Sequence, residues 1–214
     1  MGAEMCDIQP GETVAVWGAG PVGQFAMDSA RLLGAERVIG IDREEYRLEL
    51  AQRAGHITIT FDDVDVRSRL LELTGGRGPD KCIDAVGLEA SHGNLLIDTY
   101  DRVKQLVRSE TERPHALRQA ITCCRSGGIV SVIGVYGGLL DRFPAGAWMN
   151  RSITLRTGQC HAHRYMRRLL GHVERRELDP CRIVTHRLPL NQAPHGYQIF
   201  EQKQDGCEKV VLTP

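Results

Sequence analysis

The stretch from Val14 to Asp42, VAVWGAGPVGQFAMDSARLLGAERVIGID, decides the fold. Three glycines, Gly18, Gly20 and Gly23, stand where an apolar run gives way to helical spacing. Asp42 ends the next apolar run, 19 residues after Gly23. A GxGxxG turn between a strand and a helix, followed by an acid at the end of the next strand, is typical of dinucleotide binding. The alternative is a tight strand-to-helix turn with no ligand.

Each position in the turn has a physical role. Gly18 allows the tight bend, Gly20 lets the backbone approach a pyrophosphate, and Gly23 allows the helix to pack closely on the strand. A helix that starts at Pro21 and Val22 would offer its N–H groups and the positive end of its dipole to the phosphates. The spacing therefore predicts a phosphate-binding turn.

Asp42 is the candidate partner of the adenosine ribose. Its carboxylate would accept hydrogen bonds from the ribose hydroxyls and repel a 2′-phosphate, which favours NAD over NADP. Arg43 favours NADP instead, since an arginine at this position can accept a 2′-phosphate. Arg47, one helical turn beyond, could face the same ribose or be a solvated charge. Asp42 could also cap the helix that follows it.

The rest of the chain alternates strands and helices. We expect strands at 14–17, 37–42, 56–61, 81–87, 129–134 and 152–158, with helices between them and an inserted helix near 88–113. Such alternation predicts an α/β fold: a Rossmann, doubly wound, parallel six-stranded sheet. Residues 135–151 are expected to form a loop, and the last part of the chain a strand at 182–188, a helix at 191–202 and a strand at 208–213.

Composition excludes several classes of partner. Lys plus Arg equals Asp plus Glu at 27 each, so no basic surface for nucleic acid or an anionic membrane is predicted. No apolar run approaches the roughly 20 residues that span a bilayer. The start, MGAEMCDIQPGE, resembles no signal peptide, and the 7 scattered cysteines suit reduced thiols. We therefore expect a cytoplasmic protein.

Two other groups of residues could suggest chemistry. Cys160, His161 and His163 are possible zinc ligands, but no second ligand pair lies nearby in the sequence, so we predict no metal site. Asp84 could be a buried catalytic acid, although a hydrogen-bonded structural carboxylate is the commoner outcome. We predict no catalytic residue in this chain.

Five segments together resemble the medium-chain, zinc-dependent alcohol dehydrogenases. They are PGETVAVWGAGPVG, VIGIDREEYRLELA, GGRGPDKCIDAVG, CRSGGIVSVIGVYGG and the final DPCRIVTHRLPLNQAPHGYQIFEQKQDGCEKVVLTP. The inserted NLLIDTYDRVKQLVRSETERPHALRQAI and the segment RTGQCHAHRYM look most like the branch that contains glutathione-independent formaldehyde dehydrogenases. The resemblance covers essentially the whole chain, in order.

The resemblance also implies a missing part. Members of this family begin with a separate catalytic domain that carries the zinc ligands and the proton relay, and nothing here matches those segments. It implies an NAD-binding domain over 1–175 and, over 176–214, a tail that packs on the absent domain. The implied function is to bind NAD and orient its nicotinamide for hydride transfer, with zinc only in the absent domain. We expect little activity from this chain alone and a homo-oligomer, a dimer or tetramer.

The resemblance assigns cofactor contacts to matching positions. The pyrophosphate turn would be Gly18, Gly20, Pro21, Val22 and Gly23, and the adenosine ribose would lie against Asp42 and Arg47. The remaining contacts it implies are Val86, Gly87 and His92 beside the cofactor, Ile133, Val135, Gly158 and Gln159 at the nicotinamide, and Lys209 near the pyrophosphate. All would lie at the carboxyl end of the sheet.

Two alternatives stay open. The chain could be a non-catalytic nucleotide-binding remnant that acts as a sensor or an oligomerisation module. It could also be a methyltransferase, because S-adenosylmethionine binds at a glycine turn followed by an acid. The third glycine, Gly23, and the dehydrogenase-like tail speak against the methyltransferase.

Overall fold

The structure is a computed structural model that describes residues 1–62, 64–87, 115–136, 140 and 143–214. The helix predicted near 88–113 and the candidate residue His92 lie outside the described residues.

The described core is one parallel sheet. Its strands are β1 (Thr13–Trp17), β2 (Arg37–Asp42), β3 (Ile57–Thr60), β4 (Lys81–Asp84), β5 (Ile129–Val132) and β6 (Thr154–Thr157). The spatial order is β3-β2-β1-β4-β5-β6, and each pairing is parallel. This confirms the predicted doubly wound sheet. The strand order reverses between β1 and β4, which is where this architecture places its ligand crevice.

Helices cover both faces of the sheet. They are α1 (Gly2–Met5), α2 (Pro21–Leu32), α3 (Glu45–Arg53), α4 (Val66–Leu73), α5 (residues 115–123), α6 (Ala145–Asn150), α7 (Ala162–Glu174) and α8 (Ala193–Glu201). Side chains alternate along β1, so Val14 and Val16 pack with one buried cluster and Ala15 and Trp17 with the other. The two apolar clusters hold helices on opposite faces of the sheet.

Several predicted bounds were wrong, and the strand expected at 81–87 ends at Asp84. Residues 145–150, expected to be loop, form α6; Trp148 packs edge-to-face on Phe143, with ring centroids 5.7 Å apart. The strand expected at 182–188 is shorter, β7 (His186–Pro189), because a 3₁₀ turn occupies Pro180–Ile183. Asp179 begins that turn by accepting a hydrogen bond from the Cys181 N–H.

The end of the chain forms a small unit of its own. Strand β7 pairs in parallel with β8 (Val210–Thr213), and α8 connects them. Ile183 and Ile199 are buried in the described structure. Arg182 fastens this unit to α2: its guanidinium lies 2.7 Å from Asp28 Oδ2 and donates to Gln24 Oε1 at 2.9 Å. The tail therefore packs on the sheet domain of its own chain.

Asp28 makes this attachment sensitive to acid. Burial raises the pKa of Asp28, but hydrogen bonds from His56 and Arg182 outweigh it and hold the pKa below its ordinary value. A depressed folded-state pKa contributes stability that is present above the unfolded-state pKa and lost as the pH falls through the folded-state pKa. For an aspartate that window lies below about pH 4.

We expect Asp28→Asn to lower the free energy of unfolding at pH 7 by about 1–3 kcal/mol, because it removes charged hydrogen bonds. The same substitution should flatten the loss of stability below pH 4. Urea unfolding at pH 7 and pH 3 measures both effects. Asp205→Asn, at an exposed position in the same chain, is the matched control. An acid dependence as steep in Asp28→Asn as in the parent would show that another group controls it.

Candidate functional site

A cleft opens at the carboxyl ends of β1, β2 and β4, at the reversal of strand order. The predicted site residues that line it are Gly18, Gly20, Pro21, Val22, Asp42, Arg47 and Val86. The structure thus brings together positions that are spread over the first 86 residues. Trp17 and Phe61 add apolar surface to the same cleft.

The glycine turn has no room for side chains. Gly18 has φ +87°, in the left-handed region, and its N–H donates to the Ile41 carbonyl at 2.8 Å. A Cβ on Gly23 would lie 1.8 Å from the Gly18 carbonyl oxygen, so α2 packs directly on the turn. A Cβ on Gly20 would lie 3.3 Å from Arg47 Nη1 and would fill space inside the cleft. The backbone is therefore left bare where a phosphate would approach.

The start of α2 faces this space. Gly20 is the N-cap and Pro21 is the first helical residue; no side chain in the described part of the chain caps this end. Proline suits this position because its missing N–H would have no partner in the helix. The uncapped amides and the positive end of the helix dipole can hold an anion here.

Asp42 is aimed at the glycine turn. Its Oδ2 accepts a hydrogen bond from the Ala19 N–H at 2.6 Å, while Oδ1 accepts from the N–H groups of Arg43 and Glu44 at 2.7 and 3.0 Å. The carboxylate therefore joins the end of β2 to the turn and also orders the backbone that leads into α3. Asp42 is not the cap of α3, whose N-cap is Glu44, and its contact with a ribose stays a prediction.

Arg47 is not a solvated charge. Only 7% of it is exposed; its Nε lies 3.0 Å from Glu208 Oε2 and its Nη1 lies 3.9 Å from Asp42 Oδ2. Burial lowers the pKa of Arg47, but Asp42 and Glu208 outweigh it and raise the pKa above its ordinary value. The cleft therefore contains a permanent cation held between two carboxylates.

Sequence reasoning missed two residues of the tail. Glu208 is fully buried against Arg47, and Lys203 lines the rim of the cleft with its Nζ 3.3 Å from Glu44 Oε1. Their local sequence gives no signal for this placement, since each depends on the tail returning to α3. Arg43, considered above as a phosphate ligand, lies 3.2 Å from Asp62 and stacks over the Phe61 ring.

Backbone from β4 and β5 meets beyond the glycine turn. Gly87 has φ +58°, and a Cβ on it would lie 2.3 Å from the Val135 nitrogen. The Ile133 N–H donates to the Asp84 carbonyl at 3.0 Å, while Val135 is 61% exposed. Only bare backbone fits where Gly87 meets this segment.

Asp84 has a structural position. It is fully buried and accepts hydrogen bonds from the Val86 N–H at 3.0 Å and from the Tyr136 hydroxyl. Burial raises the pKa of Asp84, and those hydrogen bonds only partly offset the effect. The carboxyl group fixes the loop after β4 instead of facing the cleft.

Three of the predicted residues lie elsewhere. Gly158 and Gln159 are exposed beyond the end of β6. Lys209 is exposed and lines a separate groove beside Tyr197 and Phe200 of α8. The structure does not group these three with the glycine turn, and their assigned contacts stay predictions.

The described residues contain no group of three His, Cys, Asp or Glu side chains that could hold a metal ion. Cys160, His161 and His163 are exposed. The donor sets in the described ranges therefore do not fit a zinc ion. All 7 cysteines are free thiols. Among the helices in those ranges, none is long and apolar enough to cross a membrane.

Known proteins to which this chain is similar are named as dehydrogenases. A family model described as zinc-binding dehydrogenase matches residues 21–96. The uncharacterized zinc-type alcohol dehydrogenase-like protein AdhB of Bacillus subtilis is 39% identical over 97% of this chain and 54% of its own length. The glutathione-independent formaldehyde dehydrogenase of the same organism is 31% identical over 100% of this chain and 52% of its own length.

A solved structure agrees. The alcohol dehydrogenase TADH from Thermus sp. ATN1 superimposes with a TM-score of 0.78 at 32% identity, covering 99% of this chain and 55% of that one. The chain spans about half the length of the curated relatives that it matches. These similarities support the medium-chain alcohol dehydrogenase superfamily and do not single out a branch within it.

Proposed function

We propose that this chain binds NAD in the cleft and orients the nicotinamide for hydride transfer, as the cofactor half of a zinc-dependent alcohol or formaldehyde dehydrogenase. The observation that carries the proposal is the bare glycine turn facing Asp42, whose Oδ2 lies 2.6 Å from the Ala19 nitrogen. The names of the relatives supply the reaction class. NAD, when bound, would supply the hydride acceptor.

The residues of the turn fit a dinucleotide. Gly20 places no Cβ between the backbone and the Arg47 guanidinium, and the uncapped start of α2 can hold a pyrophosphate. Asp42 would accept hydrogen bonds from the ribose hydroxyls, and Val86 would pack against the cofactor. This chain's proposed part in the reaction is to bind NAD and orient it.

The nicotinamide end is a further proposal. Gly87, Ile133 and Val135 lie where β4 and β5 end, on the same edge of the sheet as the turn. Gly158, Gln159 and Lys209 are assigned by resemblance alone. We place the nicotinamide beyond Gly87. There the backbone of Gly87 contacts the backbone of Val135, and the Val135 side chain is exposed beside the cleft.

The division of the chain follows the same proposal. Residues 1–175 would be the NAD-binding domain, and 176–214 would dock on a zinc-bearing catalytic domain of the kind found in the longer relatives. Leu190, Tyr197 and Leu212 of the tail are 59%, 75% and 36% exposed and would supply apolar contact surface. Low activity of the chain alone stays a prediction.

Assembly and location are further parts of the proposal. Strand β6 is one edge of the described sheet, and the exposed side chains Leu140, Trp148 and Met149 lie on the segment before it. An apolar edge of this kind suits pairing with a second copy. We propose a homo-oligomer located in the cytoplasm, in keeping with its free thiols.

Binding of NADH to the purified chain tests the proposal. Trp17 lines the cleft, so its fluorescence should be quenched with a Kd in the micromolar range, which is about −8 kcal/mol. Asp42→Asn should weaken binding by about tenfold or more, because it removes a charged acceptor. Glu49→Gln, at an exposed position on α3, is the matched control. Absence of NADH binding, or equally tight binding of S-adenosylmethionine, would refute the proposed function.

A further inference from the structure

We infer that Glu208, a residue of the tail, positions Arg47 beside the glycine turn and selects against dinucleotides that carry a 2′-phosphate. The inference rests on the proposed function, since it concerns how the same cleft discriminates between NAD and NADP. Neither the glycine fingerprint nor the resemblance assigned a role to this residue.

Glu208 lies between the tail and α3. It is fully buried, and its Oε2 lies 3.0 Å from Arg47 Nε. Its N–H donates to Thr185 Oγ1 at 2.9 Å, which ties it to the start of β7. The Tyr46 hydroxyl donates to the carbonyl of the preceding Cys207 at 3.4 Å. The backbone at Glu208 is therefore held by the tail, and its carboxylate lies against Arg47 of α3.

Holding Nε orients the whole cation. A guanidinium is planar and rigid, so fixing Nε determines where the other nitrogens point. Here Nη1 points toward the turn: it lies 3.9 Å from Asp42 Oδ2 and 3.3 Å from the position of a Cβ on Gly20. Nε also donates to the Tyr46 hydroxyl at 3.1 Å, so Glu208 and Tyr46 together hold Arg47 toward the proposed ribose and pyrophosphate.

The charge balance around Arg47 is unfavourable for a second phosphate. One guanidinium lies between two carboxylates, Asp42 and Glu208, so this group carries a net charge of −1. A phosphate monoester brings about −1.5 to −2 more at pH 7. In NAD the 2′ and 3′ positions are neutral hydroxyls, which can donate to Asp42. The Arg47 guanidinium is therefore held in place beside the turn, while the group that it forms with Asp42 and Glu208 has no net positive charge to attract a 2′-phosphate.

The other cations that line the cleft in the described residues are also matched by acids. Arg43 lies 3.2 Å from Asp62, and Lys203 lies 3.3 Å from Glu44. A 2′-phosphate would have to compete with a carboxylate for each of them. Glu208 differs from these acids because it is fully buried, where its charge is screened least.

The competing explanation is that Glu208 only anchors the tail. Loss of an anchor would lower stability, and would weaken NADH and NADPH binding by the same factor. Loss of a specificity-determining charge changes the ratio of the two dissociation constants. The ratio therefore separates the two explanations, and it does not require the chain to catalyse any reaction.

The test measures the Kd of NADH and of NADPH on the full chain for the parent and three variants. Glu208→Gln keeps the shape and an acceptor oxygen but removes the charge. We expect it to lower the NADPH/NADH ratio of Kd values about tenfold, the size expected when one nearby charge is neutralised. Glu208→Asp, which keeps the charge, and Glu201→Gln, an exposed acid of α8, should retain the parent ratio.

The outcomes are distinct. A parent ratio in folded Glu208→Gln, with NADH still bound, would overturn this inference alone. A tenfold fall in Glu208→Asp as well would show that packing sets the ratio, which would also overturn it. If Glu208→Gln does not fold by circular dichroism, Glu208→Met carries the same test with an apolar side chain of similar length. A parent chain that binds neither dinucleotide would refute the proposed function, and the inference with it.

Discussion

Gly23→Ala is expected to lower the free energy of unfolding by about 3 kcal/mol or more and to abolish NADH binding. The added Cβ would lie 1.8 Å from the oxygen and 2.8 Å from the carbon of the Gly18 carbonyl. Both atoms are backbone, so the clash can be relieved only by moving α2 away from the turn. That movement displaces the amides that would hold the pyrophosphate.

Gly146→Ala is the matched control for this experiment. Gly146 lies in α6, and a Cβ there meets nothing within 4 Å. Alanine should raise stability by about 0.5–1 kcal/mol, because glycine is the poorer helix former. Urea unfolding and NADH titration give both quantities. A Gly23→Ala chain as stable as the parent, still binding NADH, would mean that close packing of the turn does not matter.

Arg47→Leu is expected to destabilise the chain by about 3–5 kcal/mol, because it leaves the charge of a fully buried carboxylate without the guanidinium 3.0 Å away. The double variant Arg47→Leu with Glu208→Leu should recover most of that loss, since it removes both charges. Thermal and urea unfolding of the single and double variants measure the recovery.

Arg53→Leu provides the comparison on the same helix. Its side chain is 72% exposed, and its ion pair with Glu49 lies at the surface, so the expected change is within about 0.5 kcal/mol. If Arg47→Leu were no worse than Arg53→Leu, the buried ion pair would not be a significant part of the cleft.

The sheet and the turn were predictable because their signals are local. Strand β2 has the predicted bounds, Arg37–Asp42, since an apolar run between a glycine stop and an acid admits few alternatives. The turn follows from glycine itself: only residues without a Cβ fit where Gly18 and Gly23 touch. In both cases the physical constraint acts within a few residues of sequence.

What sequence reasoning missed depends on contacts between distant segments. The sequence of helix α6 has no helical spacing of apolar residues that would predict it. The helix is stabilised by Trp148 packing on Phe143. The apolar residues at the start of the tail predict a strand. In the structure a 3₁₀ segment that begins after Asp179, at Pro180, comes first.

The buried role of Glu208 could not be inferred from EKVVLT, because its partner Arg47 lies on α3, near the opposite end of the chain. A charged residue at the start of a strand is ordinarily exposed. Tyr46 and Cys207, neighbours of this pair, are separated by 161 positions in sequence. Contacts between segments so far apart in sequence leave no pattern in the local sequence of either segment.

A crystal structure of the chain with NADH tests the central claim most directly. We expect the pyrophosphate against the first amides of α2, after Gly20, and the adenosine ribose hydroxyls on Asp42. A dinucleotide bound elsewhere while the turn stays empty at saturating NADH, or an adenosine ribose that makes no contact with Asp42, would contradict it.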